Sequence, residues 1–126
     1  MRSKYHNKKV VIDGHKFDSQ KEGRYYLFLK GLLEQGVISN LRMQVPYEVI
    51  PAIWEDEVKH LKTKDKTVKK CVQRATYYLA DFVYIITETG KEEVVDVKSA
   101  ATKKKESYRL KKKMMRAFNG IDVIEV

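Results

Sequence analysis

The sequence predicts a single domain of mixed α/β fold, and three observations support this prediction. A chain of 126 residues that is 43% hydrophobic is long enough to bury one core and too short for two. Two helical patterns, near residues 18–36 and 102–118, alternate with extended apolar runs bounded by turn residues. The order of helix, strand, long excursion, two strands, helix and strand is typical of a mixed sheet flanked by helices.

The first predicted elements are a short extended segment and a helix. Residues 10–17, VVIDGHKF, contain an Asp-Gly turn signal and predict either a small hairpin or an extended arm. The helix after them begins at Asp18 or Ser19, either of which can cap it, and Gly36 is well placed to end it.

The rest of the chain reads as strands, one excursion and a second helix. Residues 37–51 look extended, and Pro46 within them indicates an edge strand or a bulge. Residues 52–74 are highly charged without an apolar period, which predicts a loop or a flexible excursion. A basic helix is expected over about residues 102–118, ended by Asn-Gly, and a short final strand over 121–126.

The charge balance points to a polyanionic partner. The formal net charge is +9, and it is concentrated in two segments. Residues 103–116 hold eight Lys or Arg against one Glu, and residues 59–74 hold seven against one Asp. A solvated surface is the alternative for either segment alone, but two basic segments in a small chain favour nucleic acid.

Several classes of protein are disfavoured by composition. The single cysteine, Cys71, excludes an internal disulfide framework and a cysteine-only zinc site. No run approaches the roughly 18 apolar residues of a membrane span. The first residues are basic and lack the apolar region of a secretory signal, so we expect a soluble intracellular protein.

Glu22 is the first unusual charge. At about 100° per residue the first helix has an apolar stripe that includes Tyr26 and Leu29, and Glu22 projects onto the same stripe. An inward carboxylate is costly unless it is paired, protonated or bound to a metal. The alternative is a first-turn glutamate that is favoured by the helix dipole and escapes to solvent.

Three further charges interrupt the two strands of YLADFVYIITETGKEEVVDVKSA, residues 78–100. A turn at Thr89-Gly90 places Asp81 opposite Lys98, and period two puts Asp96 on the same face as Lys98. A four-residue turn in that register keeps the arrangement, whereas a slip by one residue would break it.

The character of that face favours a metal site over a surface ion pair. Its other members are apolar, and hydrophobic residues on both faces indicate a largely covered sheet. A hard cation such as Mg²⁺ takes oxygen ligands and uses one or two carboxylates, which leaves positions for water and phosphate. A lysine beside it can orient the water or stabilise charge developing on phosphate.

Asp81 followed by Asp96-Val97-Lys98 resembles the catalytic signature of the PD-(D/E)XK nuclease superfamily, and Glu22 matches the acidic residue that many members carry on their first helix. Ala80 stands where the signature has Pro. The resemblance runs from about residue 17 to the end of the chain and is closest to small phage-encoded nuclease-like proteins and Holliday-junction resolvases. It implies a restriction-endonuclease-like core with a mixed central sheet and the order α-β-β-β-α-β.

The resemblance also implies a function and the residues that perform it. It predicts a Mg²⁺-dependent DNA endonuclease, with Mn²⁺ able to substitute, that acts on branched DNA as a homodimer in the cytoplasm of a bacterial or phage-infected cell. Asp81, Asp96 and Glu22 would hold metal, and Lys98 would assist the attacking water. The alternative is a non-catalytic nucleic-acid-binding protein of viral origin on a nuclease-like fold.

Other residues are candidates for DNA contact. Lys111 shares a helical line with Tyr108 and Met115, so it either snorkels to solvent or approaches the scissile phosphate. The predicted nucleic-acid-binding residues are Lys69, Lys70, Arg74, Lys104, Tyr108 and Lys111. Gln44 is either solvated or faces the site. His6, His15 and His60 lack metal-ligand spacing, and the 52–74 segment is either a disordered loop or an arm that grips DNA.

Overall fold

The computed structural model describes residues 9–126. The strands are, in chain order, β1 (Val10–Ile12), β2 (His15–Phe17), β3 (Ile38–Ile50), β4 (Ile53–His60), β5 (Asp65–Gln73), β6 (Thr76–Ile86), β7 (Glu92–Asp96) and β8 (Ile124–Glu125). The helices are α1 (Gln20–Glu34), α2 (Ala100–Lys103) and α3 (Glu106–Asn119). No helix among the described residues is long and apolar enough to cross a membrane.

A four-stranded sheet organises the fold, with the strand order β3-β6-β7-β8. The pairs β3–β6 and β6–β7 are antiparallel, whereas β7 and β8 run parallel. This is the mixed sheet that the sequence predicts, and β3, which contains Pro46, lies at its edge as expected. The pairs β1–β2 and β4–β5 form separate two-stranded ribbons.

Apolar residues cover both faces of the sheet. Phe82, Val95 and Leu29 of α1 belong to the core on one face. Val83 and Met115 of α3 belong to the core on the other face. Because the sheet lies between two cores, the charged side chains of Asp81 in β6 and Asp96 at the end of β7 have little access to water.

The ends of the helices follow the predicted signals. Ser19, rather than Asp18, caps α1 by accepting a hydrogen bond from the Glu22 amide at 3.1 Å. Gly36 and Gly120 lie just past the ends of α1 and α3 with φ of 77° and 66°, a conformation that glycine adopts without strain. The single helix predicted over 102–118 is wrong in one respect, because Lys104 and Lys105 separate α2 from α3.

The segment before α1 forms the small hairpin, not the extended arm. Asp13 and Gly14 make its turn with φ of 53° and 78°. The hairpin packs so closely on α1 that a Cβ at Gly23 would lie 2.8 Å from Cγ2 of Val10. The hairpin therefore covers the first turn of α1, where Glu22 lies.

Of the two alternatives for residues 52–74, the disordered loop is wrong, because the segment forms the hairpin β4–β5, here called the exposed ribbon (residues 53–73). The arm that grips DNA stays a prediction. All of β4 is exposed, and in β5 only Val68 is half-buried. With no covered face the ribbon has no apolar period, so the pattern that identifies a strand is missing. Cross-strand ion pairs such as Lys69 with Asp56, at 2.6 Å, suit its antiparallel register instead.

Candidate active site

The register of the β6–β7 hairpin differs by two residues from the prediction. Phe82 pairs with Val95, so Asp81 lies opposite Asp96 and not opposite Lys98, and the turn comprises residues 87–90. A shift by two residues preserves which face each side chain occupies, because side chains alternate with period two. The predicted gathering of Asp81, Asp96 and Lys98 therefore survives the wrong register.

Asp81 and Asp96 are tied together through the backbone of their strands. The amide of Asp81 donates to Oδ1 of Asp96 at 3.0 Å, and the amide of Val97 donates to Oδ2 of Asp81 at 2.9 Å. Lys98 adds its ammonium at 3.4 Å from Oδ2 of Asp81 and 4.0 Å from Oδ1 of Asp96. These contacts fix the positions of both carboxylates and bring the lysine to them.

Gln44 joins this group from the edge strand. It lies opposite Asp81, between the pairs Met43–Phe82 and Val45–Ala80, with φ of 52°. Its amide nitrogen donates to Oε1 of Glu22 at 3.0 Å and to Oδ1 of Asp81 at 3.3 Å. Of the two alternatives for Gln44, the structure shows the one in which it faces the site.

Glu22 points inward, as the helical stripe predicts. It is only 5% exposed, although it lies in the first turn of α1 where escape to solvent was the alternative. Burial, and then the negative charge of Asp81, raises its pKa to about 7. We refer to Glu22, Asp81 and Asp96 as the carboxylate cluster.

Asp96 is the most enclosed member of the carboxylate cluster. Its side chain is fully buried, and its Oδ2 atom has no hydrogen-bond partner among residues 9–126. Burial raises the pKa of this carboxyl, although Lys98 opposes the shift. A buried carboxylate oxygen without a donor is costly, and a bound cation would remove that cost.

Lys98 lies between the carboxylates and an aromatic ring. Its ammonium is 6.0 Å from the centre of the Tyr108 ring, at the edge of cation–π distance. The Tyr108 hydroxyl is buried without a hydrogen-bond partner in the described part of the chain, and burial together with the negative charge of Asp96 raises its pKa. The ammonium therefore has one side toward acidic oxygens and one toward α3.

Lys21 stabilises the backbone at the site, which the sequence did not indicate. Its ammonium donates to the backbone oxygens of Lys98 and Val126 at 3.1 and 2.9 Å. The parallel pairing of β8 adds a bond from the Val126 amide to the Asp96 carbonyl at 2.9 Å. Lys21 lies off the apolar stripe of α1, so helical periodicity classes it as solvated.

The residues fit a hard divalent cation in chemistry but are not assembled around one. Within residues 9–126 no three carboxylate, histidine or cysteine side chains form a ready-made metal-binding group. The Gln44 amide nitrogen donates hydrogen bonds to both Glu22 and Asp81. It therefore lies between the two carboxylates, where a bound cation would lie. The donor set is nevertheless all oxygen, as Mg²⁺ requires, and Oδ2 of Asp96 is left without a donor.

The remaining predicted contacts lie apart from the carboxylate cluster. Lys69 pairs with Asp56 in the exposed ribbon, where Lys70 is opposite Glu55. Arg74 is exposed in the connection to β6, and Lys104 is exposed at the end of α2. His15 and His60 lie outside the site, and His6 falls outside the described residues.

Lys111 does not follow the helical line on which the sequence placed it. Lys111 is exposed, whereas on the same line Tyr108 is half-buried and Met115 is fully buried. Lys112 is the half-buried lysine of α3, and it forms an ion pair with Glu125 of β8. At 100° per residue both lysines lie within about 60° of Tyr108, so the pattern alone does not separate them.

Comparison with known proteins assigns a family without assigning a function. Residues 2–123 match the model of DUF1064, a family described as protein of unknown function. The match covers nearly all of the chain, so the protein belongs to this family. No curated protein and no solved structure matches it.

Proposed function

We propose that this protein is a Mg²⁺-dependent DNA endonuclease with a restriction-endonuclease-like core. The observation that carries the proposal is the set of hydrogen bonds that joins Asp81, Asp96 and Lys98, with Glu22 reaching them from α1. Three buried carboxylates and one partly buried lysine cost stability. A catalytic centre is a function that justifies that cost.

The element order supports the finer fold assignment. Without the β1–β2 hairpin, the exposed ribbon and the one-turn α2, the chain reads α1, β3, β6, β7, α3 and β8. This is the α-β-β-β-α-β order that the resemblance implies. The carboxylates come from α1, β6 and β7, which are also the elements expected to supply them.

Asp81, Asp96 and Glu22 would hold the metal, with Mn²⁺ able to replace Mg²⁺. When bound, such an ion lowers the pKa of a water and neutralises charge on the phosphate. Oδ2 of Asp96 is available as a ligand because no donor of the described residues bonds to it. The Gln44 amide is the group that must leave its position between Glu22 and Asp81.

Lys98 is suited to act on the water and on the scissile phosphate. Hydrolysis forms a bond from the water oxygen to phosphorus and breaks the bond to the leaving sugar oxygen. An ammonium held beside Asp81 and 25% exposed can donate to the attacking water and oppose the developing negative charge. The Tyr108 ring limits the directions in which the lysine can move.

The substrate and assembly follow from the resemblance together with the charge. The basic balance supports contact with the DNA backbone without reading of base sequence. Branched DNA is the proposed substrate, and a homodimer in the cytoplasm is the proposed assembly, since paired strands are cut symmetrically.

A cleavage assay tests the proposal directly. The protein is incubated with linear, single-stranded, flap and four-way-junction DNA, in Mg²⁺, in Mn²⁺ and in EDTA, beside Asp96→Asn and Lys98→Ala. Metal-dependent cutting of branched DNA that both variants lose is the expected result. Undiminished cleavage by both variants would contradict the site.

The alternative function would give a different pattern in the same assay. Asp81 and Asp96 already accept backbone hydrogen bonds, which is also what purely structural carboxylates do. Binding of DNA without cleavage in either metal would therefore favour a non-catalytic nucleic-acid-binding protein.

A further inference from the structure

A groove along α3 is a basic surface that the carboxylate cluster does not include. It encloses about 410 Å³ between α2, α3 and the segment that leads into β8. Five cationic side chains line it: Lys103, Arg109, Lys112, Lys113 and Arg116. We refer to it as the α3 groove.

Three of these cations are not neutralised within the described chain. Lys112 pairs with Glu125, and Arg116 pairs with Asp122 at 3.3 Å. Lys103, Arg109 and Lys113 form no ion pair with any acid among residues 9–126. Their like charges repel one another, and an external polyanion would relieve that repulsion.

The α3 groove adjoins the candidate active site through Tyr108. This residue lines the groove, and its ring also faces the Lys98 ammonium at 6.0 Å. The groove therefore begins beside the carboxylate cluster and continues along α3 toward Arg116. A polymer bound in the α3 groove would therefore pass close to Lys98.

The dimensions suit a short length of one nucleic-acid strand. From Tyr108 to Arg116 the helix rises about 12 Å at 1.5 Å per residue. B-form DNA rises about 3.4 Å per nucleotide along its axis and the winding backbone covers a longer path, so the groove spans at most three to four nucleotides. A single bound phosphate would not use this length, whereas a strand would.

We infer that the α3 groove holds the phosphates on one side of the scissile bond, with Lys103, Arg109 and Lys113 as the contacting cations. The inference rests on the proposed function for the identity of the polyanion. It differs from the sequence prediction, which selected Lys104 and Lys111, because neither of these lines the groove.

The test measures binding without cleavage, so that it does not depend on catalysis. A fluorescein-labelled duplex of 20 base pairs and its single strand are titrated in EDTA at several salt concentrations. The variants are Arg109→Gln and Lys113→Gln in the groove, with Lys16→Gln as the matched control. Lys16 is an exposed lysine of β2, in the hairpin that packs on α1.

Each groove variant is expected to weaken binding several-fold at 0.1 M salt and to reduce the salt slope by about 0.9. Lys16→Gln is expected to leave both unchanged. Equal losses from Lys16→Gln, Lys104→Gln or Lys111→Gln would overturn the inference, because the contact would then be a diffuse charge effect. Equally effective competition by poly-glutamate would also overturn it, in favour of an acidic protein partner.

The two proposals fail separately. Groove-dependent binding by a protein that cuts no DNA would refute the nuclease and retain the α3 groove. Metal-dependent cleavage with no difference between groove and control variants would retain the nuclease and refute the α3 groove.

Discussion

Two large hairpins of the chain differ in where they place charged side chains: the β6–β7 hairpin buries them, and the exposed ribbon leaves them in water. In the β6–β7 hairpin Asp81 is 6% exposed and Asp96 is fully buried. In the exposed ribbon the ion pair of Lys69 with Asp56 has side chains that are 73% and 59% exposed. Both hairpins are antiparallel, and both place acidic residues within strands.

The difference shows which charges carry information about function. An exposed ion pair contributes about 0–1 kcal/mol and costs little to maintain. A buried carboxylate costs several kcal/mol unless it is compensated, and burial raises the pKa of Asp96. Charges in the exposed ribbon are explained by solvation, whereas those of the carboxylate cluster require compensation inside the fold, part of which comes from backbone amides and from Lys98.

The largest expected difference between the hairpins is in catalysis. Asp96→Asn keeps the Oδ1 acceptor for the Asp81 amide but removes the negative charge, so we expect cleavage to fall by at least about 10³-fold. Asp56→Asn makes the same change in the exposed ribbon and should leave the rate within about twofold. Initial rates of cleavage of a four-way junction measure the effect of each variant. Equal rates for Asp96→Asn and Asp56→Asn would show that the two hairpins do not differ in catalysis.

The second largest expected difference is in how much a large-to-small substitution in each hairpin lowers the free energy of unfolding. Phe82 is fully buried between α1 and the sheet, so Phe82→Ala should lower the free energy of unfolding by about 3–5 kcal/mol. Trp54 is 60% exposed in the ribbon, so Trp54→Ala should cost less than about 1 kcal/mol. Urea denaturation measures both, and a large loss for Trp54→Ala would mean that the ribbon face is covered in solution.

The buried hairpin was also the more predictable of the two. Period-two alternation identified the face shared by Asp81, Asp96 and Lys98, and this survived a register error because the error was two residues. The exposed ribbon buries no face, so it lacks the alternation that identifies a strand. Sequence patterns report burial, and they miss elements that are held by backbone pairing alone.

Contacts that depend on local geometry were beyond the sequence. Gln44 reaches Glu22 and Asp81 from a backbone with positive φ, which is uncommon for a residue other than glycine and leaves no signal in the sequence. Lys112, and not Lys111, is half-buried against β8, and the orientation of α3 decides between two neighbouring lysines. Glu22 was predictable because the first helix has one clear stripe and a strong cap.

The pH dependence of stability should reveal the buried charge of Glu22. The pKa of Glu22 is about 7 in the folded protein and 4.5 for a solvated glutamate, which represents the unfolded chain. Between pH 4.5 and 7 the unfolded chain therefore binds fewer protons than the folded protein. Stability is then retained below about pH 4.5 and falls as pH rises toward 7, by at most about 1.4 kcal/mol per pH unit. Urea denaturation from pH 4 to 8 should show a larger fall in wild type than in Glu22→Gln, in which the raised pKa of Asp96 still contributes part of it.

A matched control and the metal sharpen this pH test. Glu34→Gln, at the exposed end of α1, should keep the wild-type pH dependence. Mg²⁺ binds the ionised carboxylate, so it should restore stability near pH 8 in wild type and not in Glu22→Gln. Identical pH profiles for wild type and Glu22→Gln would show that Glu22 is ionised and solvated in solution.

The smallest expected effect is the coupling between charged partners in each hairpin. A double-mutant cycle of Asp56→Asn with Lys69→Gln should give about 0.2–1 kcal/mol, reduced by 0.5 M NaCl, because water and ions screen an exposed pair. The cycle of Asp81→Asn with Lys98→Gln should give a larger coupling energy that salt changes less. The reason is burial, because the side chain of Asp81 is 8% exposed and that of Lys98 is 25% exposed. If the ribbon pair had the larger coupling, burial would not be what distinguishes these hairpins. Only the cleavage assay would then identify the carboxylate cluster as a functional site, because the coupling energies would show no electrostatic cost of burying it.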